Sequence, residues 1–315
     1  MARYLDPKAD LTFKRIFGQH PELLISFLNA VMPFEADRYI VSVEYLPVEL
    51  MPETPGSKFS IVDVRCIDNY KRQFIVEIQT RWYEAFMKRI VFNAGKTYVR
   101  QLGKGNEYEL LQPVYTLSIL TKNFDHKTDS FYHHFQIINR ENSDEIIPGL
   151  EFILIELTEK FRPETIAERK LMALWLRFLN EVNEDMRALP VEMQENAHIL
   201  QAAELCEIGA YTPAELAGYD KFWDTVSVER TIVSGAMAEG EAIGVKKGKA
   251  IGLEEGKAIG LEEGKAIGLE EGKAIGEHET ANNFALNALQ MGISIDDVSK
   301  LTGLSVEQIH NLKSP

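Results

Sequence analysis

Cysteine is scarce. Two occur in 315 residues, Cys66 and Cys206. Both lie in apolar stretches without a C-x-x-C partner, which argues against a disulfide framework or a zinc site. Two buried thiols in a reducing compartment are expected instead. No run of eighteen apolar residues exists, so no transmembrane helix is expected. The first ten residues, Met1-Ala-Arg-Tyr-Leu-Asp-Pro-Lys-Ala-Asp10, lack the apolar segment of a secretory signal. The expected location is therefore cytoplasmic. A basic excess is also missing. Lys and Arg number 34 against 48 Asp and Glu, a net charge of −14, which argues against a general nucleic-acid binder.

The charge is unevenly spread. Residues 1–150 sum to −1, residues 151–235 to −8 and residues 236–315 to −5. Residues 58–104 hold ten basic and four acidic side chains, so positive charge is concentrated in one stretch of the chain. Hydrophobic residues make up 45% of the sequence, enough for a sizeable core.

That same stretch contains two short strand patterns. Ile61-Val-Asp63-Val-Arg-Cys-Ile67 and Phe74-Ile-Val-Glu77-Ile-Gln79 flank the turn formers Asp68-Asn-Tyr-Lys-Arg72. Side chains alternate along a strand. Ile75, Glu77 and Gln79 therefore share one face, and Phe74, Val76 and Ile78 take the other. If the strands pair antiparallel, Asp63 and Glu77 converge. Two carboxylates suit Mg2+, or another divalent cation, which prefers hard oxygen donors and keeps several waters.

Around this pair the pattern alternates between helix and strand. Residues 10–31 read as an amphipathic helix with a break near Gly18 to Pro21, and Asp10 is an expected N-cap. Residues 39–50 read as a strand, followed by a loop at 51–57. Residues 82–104 read as a long helix. Met87, Val91, Ala94 and Tyr98 make its expected apolar face. Arg89, Asn93, Lys96 and Arg100 make a polar stripe placed to bind DNA backbone phosphates. Strands follow at 113–121, 131–138 and 150–157. His133 and His134 are adjacent on a strand and face opposite ways, so packing roles are expected for them.

Residues 163–237 turn helical and acidic, and Thr212-Pro213 marks a helix start. Glycine then falls at every fourth position from Gly240 to Gly276, within near-identical copies of Gly-Lys-Ala-Ile-Gly-Leu-Glu-Glu. A glycine costs a helix about 1 kcal/mol against alanine. The tail therefore reads equally as a helix with a close-packing glycine row or as a flexible linker. Ser294 and Ser305 open two short capped helices. They resemble a helix-turn-helix, but Glu307 and the lack of basic residues point to an oligomerisation module rather than a DNA reader.

Asp63, Glu77-Ile-Gln79, Asp10-Leu-Thr-Phe-Lys-Arg-Ile-Phe-Gly18, the helical residues 89–98 and Gly105-Asn-Glu-Tyr108 resemble the PD-(D/E)xK nuclease superfamily. More narrowly, the first two-thirds of the chain resembles the Rpn family of recombination-promoting nucleases and transposases. The resemblance implies an α/β, restriction-endonuclease-like mixed sheet flanked by helices. It also implies a metal-dependent DNA endonuclease linked to recombination or mobile elements. Asp63 and Glu77 would hold the metal, Gln79 would complete the catalytic set, and Asp10 and Tyr98 would be accessory. Gln79 stands where the superfamily has lysine. The expected organisation is a nuclease-like core at 1–160, a helical appendage at 161–237, the glycine-repeat tail at 238–279 and the helix-turn-helix-like module at 280–315. The tail would make a homo-oligomer. Alternative readings are a non-catalytic DNA-binding or scaffolding protein on the same fold, and a purely structural oligomer.

Overall fold

The computed structural model describes residues 4–50, 60–80, 85–103, 105, 107–124, 128–166 and 168–312. The expected loop at 51–57 and the start of the long helix at Trp82 lie outside them. The chain opens with α1 (Asp10–Gln19) and α2 (Pro21–Val31), then β1 (Val43–Tyr45), β2 (Glu49–Leu50), β3 (Ser60–Ile61), β4 (Val64–Asp68) and β5 (Gln73–Gln79). It continues with α3 (Ala85–Val99), β6 (Val114–Leu120), β7 (Tyr132–Ile138) and β8 (Ile146–Glu156). Last come α4 (Lys170–Glu181), α5 (Val191–Gln194), α6 (Ala197–Glu204), α7 (Pro213–Gln290), α8 (Ile295–Thr302) and α9 (Val306–Asn311). Two compact units divide at residue 228, Met1–Val228 and Glu229–Pro315.

The first unit is built on a six-stranded mixed sheet in the order β1-β4-β5-β6-β8-β7. β4 and β5 pair antiparallel, as the short turn between them dictates. β5, β6 and β8 run parallel, and α3 supplies the crossover that a parallel β5–β6 pair requires. Phe74, Val76, Leu117, Ile153 and Ile155 face one way and join Phe13, Phe17, Phe27 and Trp175 in the main core. Helices α1, α2, α4 and α6 thus share one core with the sheet. Trp175 ties it together further, donating its Nε1–H to Ser26 Oγ at 3.1 Å.

Several expectations shift. The strand expected at 39–50 is two short pieces, β1 and β2. The first site strand is interrupted, with β3 ending at Ile61 and β4 starting at Val64. Asp63 sits in the bend because its side chain replaces a ladder contact, accepting from the Ile78 backbone N–H at 2.8 Å. Asp10 is not the cap of α1. Ala9 holds that position without a side-chain bond, and Asp10 instead pairs with Lys14 at 2.7 Å. The fully buried residues of α3 are Phe86, Ile90, Asn93, Ala94 and Thr97, whereas Val91 is exposed. The helix is therefore turned about one residue from the expected seam.

The second unit contains the whole glycine repeat, Gly240 to Gly276, which is continuous helix within α7. Four residues advance about 400° around a helix, so each glycine row shifts about 40° per step. The apolar residues drift with it, and Ile251, Leu253, Ile259, Leu261, Ile267, Leu269 and Ile275 are all exposed. At the end of α7, Ala285 and Ala288 pack with Val298, Leu304 and Ile309. Ser294 and Ser305 cap α8 and α9 as expected, the latter with a full capping box. Gly303, at φ 72°, closes α8 in the left-handed conformation that glycine adopts without strain.

Candidate active site

The antiparallel register of β4 and β5 sets Val64 opposite Val76. One step further along, it brings Asp63 and Glu77 together at the end of the pair. Both carboxyl groups are perturbed. Burial pushes Glu77 up to about 7 and the neighbouring Asp63 charge adds to the rise, while Arg89 and Asn93 oppose it. Burial likewise pushes Asp63 up to about 6, against the lowering effect of the Ile78 amide. Asp10 raises Asp63, and Lys14 and Arg89 lower it. The start of α1 therefore lies within electrostatic reach of Asp63.

Helix α3 provides the lid on Glu77. Arg89 Nη2 donates to Glu77 Oε2 at 3.1 Å and to Gln79 Oε1 at 2.9 Å. One guanidinium thus joins both ends of the Glu-x-Gln motif. Asn93, one turn on, donates its Nδ2–H to Glu77 Oε1 at 3.2 Å. Asn93 is fully buried, so the residue expected on the DNA-facing stripe meets the carboxylate instead. Lys96 donates to the Leu50 carbonyl at 2.6 Å. Burial lowers the proton affinity of the Arg65 guanidinium, and the charge of Arg100 adds to that. Tyr98 packs on the backbone of Gly149 and belongs to an apolar cluster with Ile75, Val114 and Leu150, toward the opposite ends of the strands from Gln79.

The adjacent histidines behave as alternation requires. His133 bonds Glu156 at 3.1 Å and His134 bonds Glu151 at 2.7 Å. Glu156 is fully buried and also pairs with Lys160 at 3.1 Å.

Donor chemistry at Asp63 and Glu77 suits a hard divalent cation. Burial raises the proton affinity of both carboxylates despite Arg89, and a cation bound by one or two carboxylates keeps the rest of its shell for water and phosphate. Among the described residues, no group of three or more His, Cys, Asp or Glu side chains is arranged to hold a metal. The role of Arg89 was not legible in the sequence, which set it on a phosphate-binding stripe. Its signal was the i, i+4 spacing of Arg89 and Asn93, which lets both side chains reach Glu77. Ser118 and Thr116 were also missed. They alternate along β6 in register with Glu77 and Ile75.

No curated protein and no solved structure matches the chain. A family model described as PD-(D/E)XK nuclease family transposase matches residues 7–227, a span that takes in the sheet, α3 and the helices α4 to α6. With Asp63 in the bend before β4 and Glu77 on the neighbouring β5, the chain belongs to the PD-(D/E)XK nuclease family transposases.

Proposed function

We propose that the protein is a Mg2+-dependent DNA endonuclease acting in the cytoplasm on DNA of recombining or mobile elements. The observation that carries this reading is the shared Arg89 guanidinium bridging Glu77 and Gln79 beside Asp63. Asp63 and Glu77 would hold the divalent cation. When bound, it supplies an activated water and neutralises charge developing on the phosphate. Gln79 turns its carbonyl to Arg89, which leaves its amide N–H groups to orient the water or a phosphate oxygen. Arg89, with its side chain 35% exposed, brings the positive charge that a superfamily lysine would carry at position 79. Lys96 and Arg100 follow on the same helix and would hold the DNA backbone without reading bases.

Incubation of the protein with plasmid DNA, in Mg2+ and in EDTA, tests the reading. Cleavage should require the metal and vanish in Asp63→Ala and Glu77→Ala, with the fold intact by circular dichroism. Wild-type cleavage in both variants would sink it. A second reading, a DNA-binding or scaffolding protein that keeps the fold without the activity, is favoured by one observation. Both Glu77 oxygens are already bonded, to Arg89 and Asn93. The exposed isoleucines and leucines of α7 support self-association through the tail.

A further inference from the structure

The sheet face beneath α3 holds two apolar clusters rather than one. Ile75, Ala94 and Val114 form the first with Leu50 and Val62. Phe86, Ile90, Leu120 and Leu154 form the second. Glu77, Thr116 and Ser118 are buried polar residues of this sheet face, and Asn93 and Thr97 are buried polar residues of α3. Register explains their meeting. Ser118 is the parallel partner of Glu77, and Thr116 that of Ile75. Both hydroxyls therefore share the Glu77 face, Ser118 about one strand spacing (~4.8 Å) from Glu77 and Thr116 two residues further back along β6. Asn93 and Thr97 are one turn apart, so they lie on one side of α3. The result is two layers, with Glu77, Ser118 and Asn93 outermost and Thr116 and Thr97 beneath.

Among the described residues, four oxygens in these layers have no hydrogen-bond partner: Asn93 Oδ1, Thr97 Oγ1, Thr116 Oγ1 and Ser118 Oγ. All four residues are fully buried. A buried polar atom left unbonded costs about 1–3 kcal/mol. Four together would consume much of a domain's stability of about 5–15 kcal/mol. Native interiors meet such groups with ordered water, typically in polar pockets that offer it several partners.

We propose that these side chains form a hydrated polar shaft that positions Glu77. Water bonded to Ser118, Thr116 and Thr97 fixes the carbonyl end of the Asn93 amide. The other end then holds Glu77 Oε1 in the orientation that a bound cation requires. Asn93 is thus a positioning residue that never meets DNA, and Ser118 acts through the same water. The hydration stands on the packing alone, whereas its bearing on metal affinity rests on the nuclease reading above.

Two measurements on the full-length protein test this. A high-resolution crystal structure should show ordered water bonded to Ser118 Oγ and Asn93 Oδ1, and a dry shaft overturns the proposal. Calorimetric titration with Mn2+ should give a Kd 10- to 100-fold weaker in Asn93→Leu, the usual effect of losing a side chain that orients a ligand. Ser118→Ala and Thr116→Val should weaken it less, with melting temperature unchanged or raised. Wild-type affinity in a folded Asn93→Leu overturns the positioning role. If that variant does not fold, the other two decide: weakened Mn2+ binding supports the role and unchanged binding refutes it. Wild-type protein that binds no Mn2+ overturns the nuclease reading and the positioning role with it, while the water measurement is read separately.

Discussion

Replacing Glu77 with glutamine should stabilise the metal-free protein above neutral pH. Burial raises the Glu77 carboxyl from its ordinary 4.5 to about 7. The folded chain therefore holds this proton more tightly than the unfolded chain does. Stability linked to it is fully present below pH 4.5 and is lost as pH rises through 7. Each tenfold change in proton affinity is worth about 1.4 kcal/mol, so the loss at pH 8 is about 3 kcal/mol. The side chain is 3% exposed, so solvent screening removes little of that. Glutamine keeps the shape of the protonated acid and carries no charge. At pH 8 in EDTA, Glu77→Gln should therefore exceed wild type by about 3 kcal/mol, and at pH 4.5 the two should coincide. Urea unfolding across this range, followed by circular dichroism, measures it. Saturating Mg2+ should reverse the order at pH 8, because only the carboxylate gains from the cation. A glutamine variant no more stable than wild type at pH 8 in EDTA would refute the account of Glu77 as a buried charge awaiting a cation.

Three further outcomes follow from the site and the tail. Gln79→Ala should lower the single-turnover cleavage rate about 10- to 1000-fold, as for loss of one positioned donor, and Gln79→Lys should raise it if Arg89 moves aside. Unchanged cleavage in Gln79→Ala would reduce Gln79 to a strand residue. Arg89→Ala should slow cleavage by about 100- to 1000-fold and move the onset of Mn2+ binding to higher pH, because Arg89 is the strongest influence holding Glu77 down; a pH titration of Mn2+ affinity checks this. Deleting residues 229–315 should leave a folded, cleaving unit, since Met1–Val228 is compact by itself, and should lower the oligomeric state by light scattering.

The carboxylate pair was legible in the sequence because a strand exposes its two faces to different surroundings. Phe74, Val76 and Ile78 pack in the main core, while Ile75 packs in the separate cluster under α3, so the alternation carried the answer. Helix α3 was harder. Its apolar and polar stripes both recur at helical spacing, and periodicity does not say which stripe docks. The structure turns Asn93 inward because Glu77 offers an acceptor there, a tertiary fact no window of sequence contains. The break at Asp63 was hidden for a similar reason. It depends on a side-chain oxygen bonding an amide on the neighbouring strand, and no β propensity encodes that.

That bond at Asp63 also bears on ion choice. One of its oxygens is pinned by a main-chain amide, so the direction of the other is set by the sheet. Glu77 is held by side chains alone, which rotate more freely than a paired strand. A larger ion such as Ca2+, whose ligands lie at about 2.3–2.6 Å rather than about 2.0–2.1 Å, would have to be accommodated from the Glu77 side. Under the proposed nuclease reading, the site would be rigid at one ligand and adjustable at the other, and discrimination between ions of different radius would fall to the stiffness with which α3 seats Arg89 and Asn93.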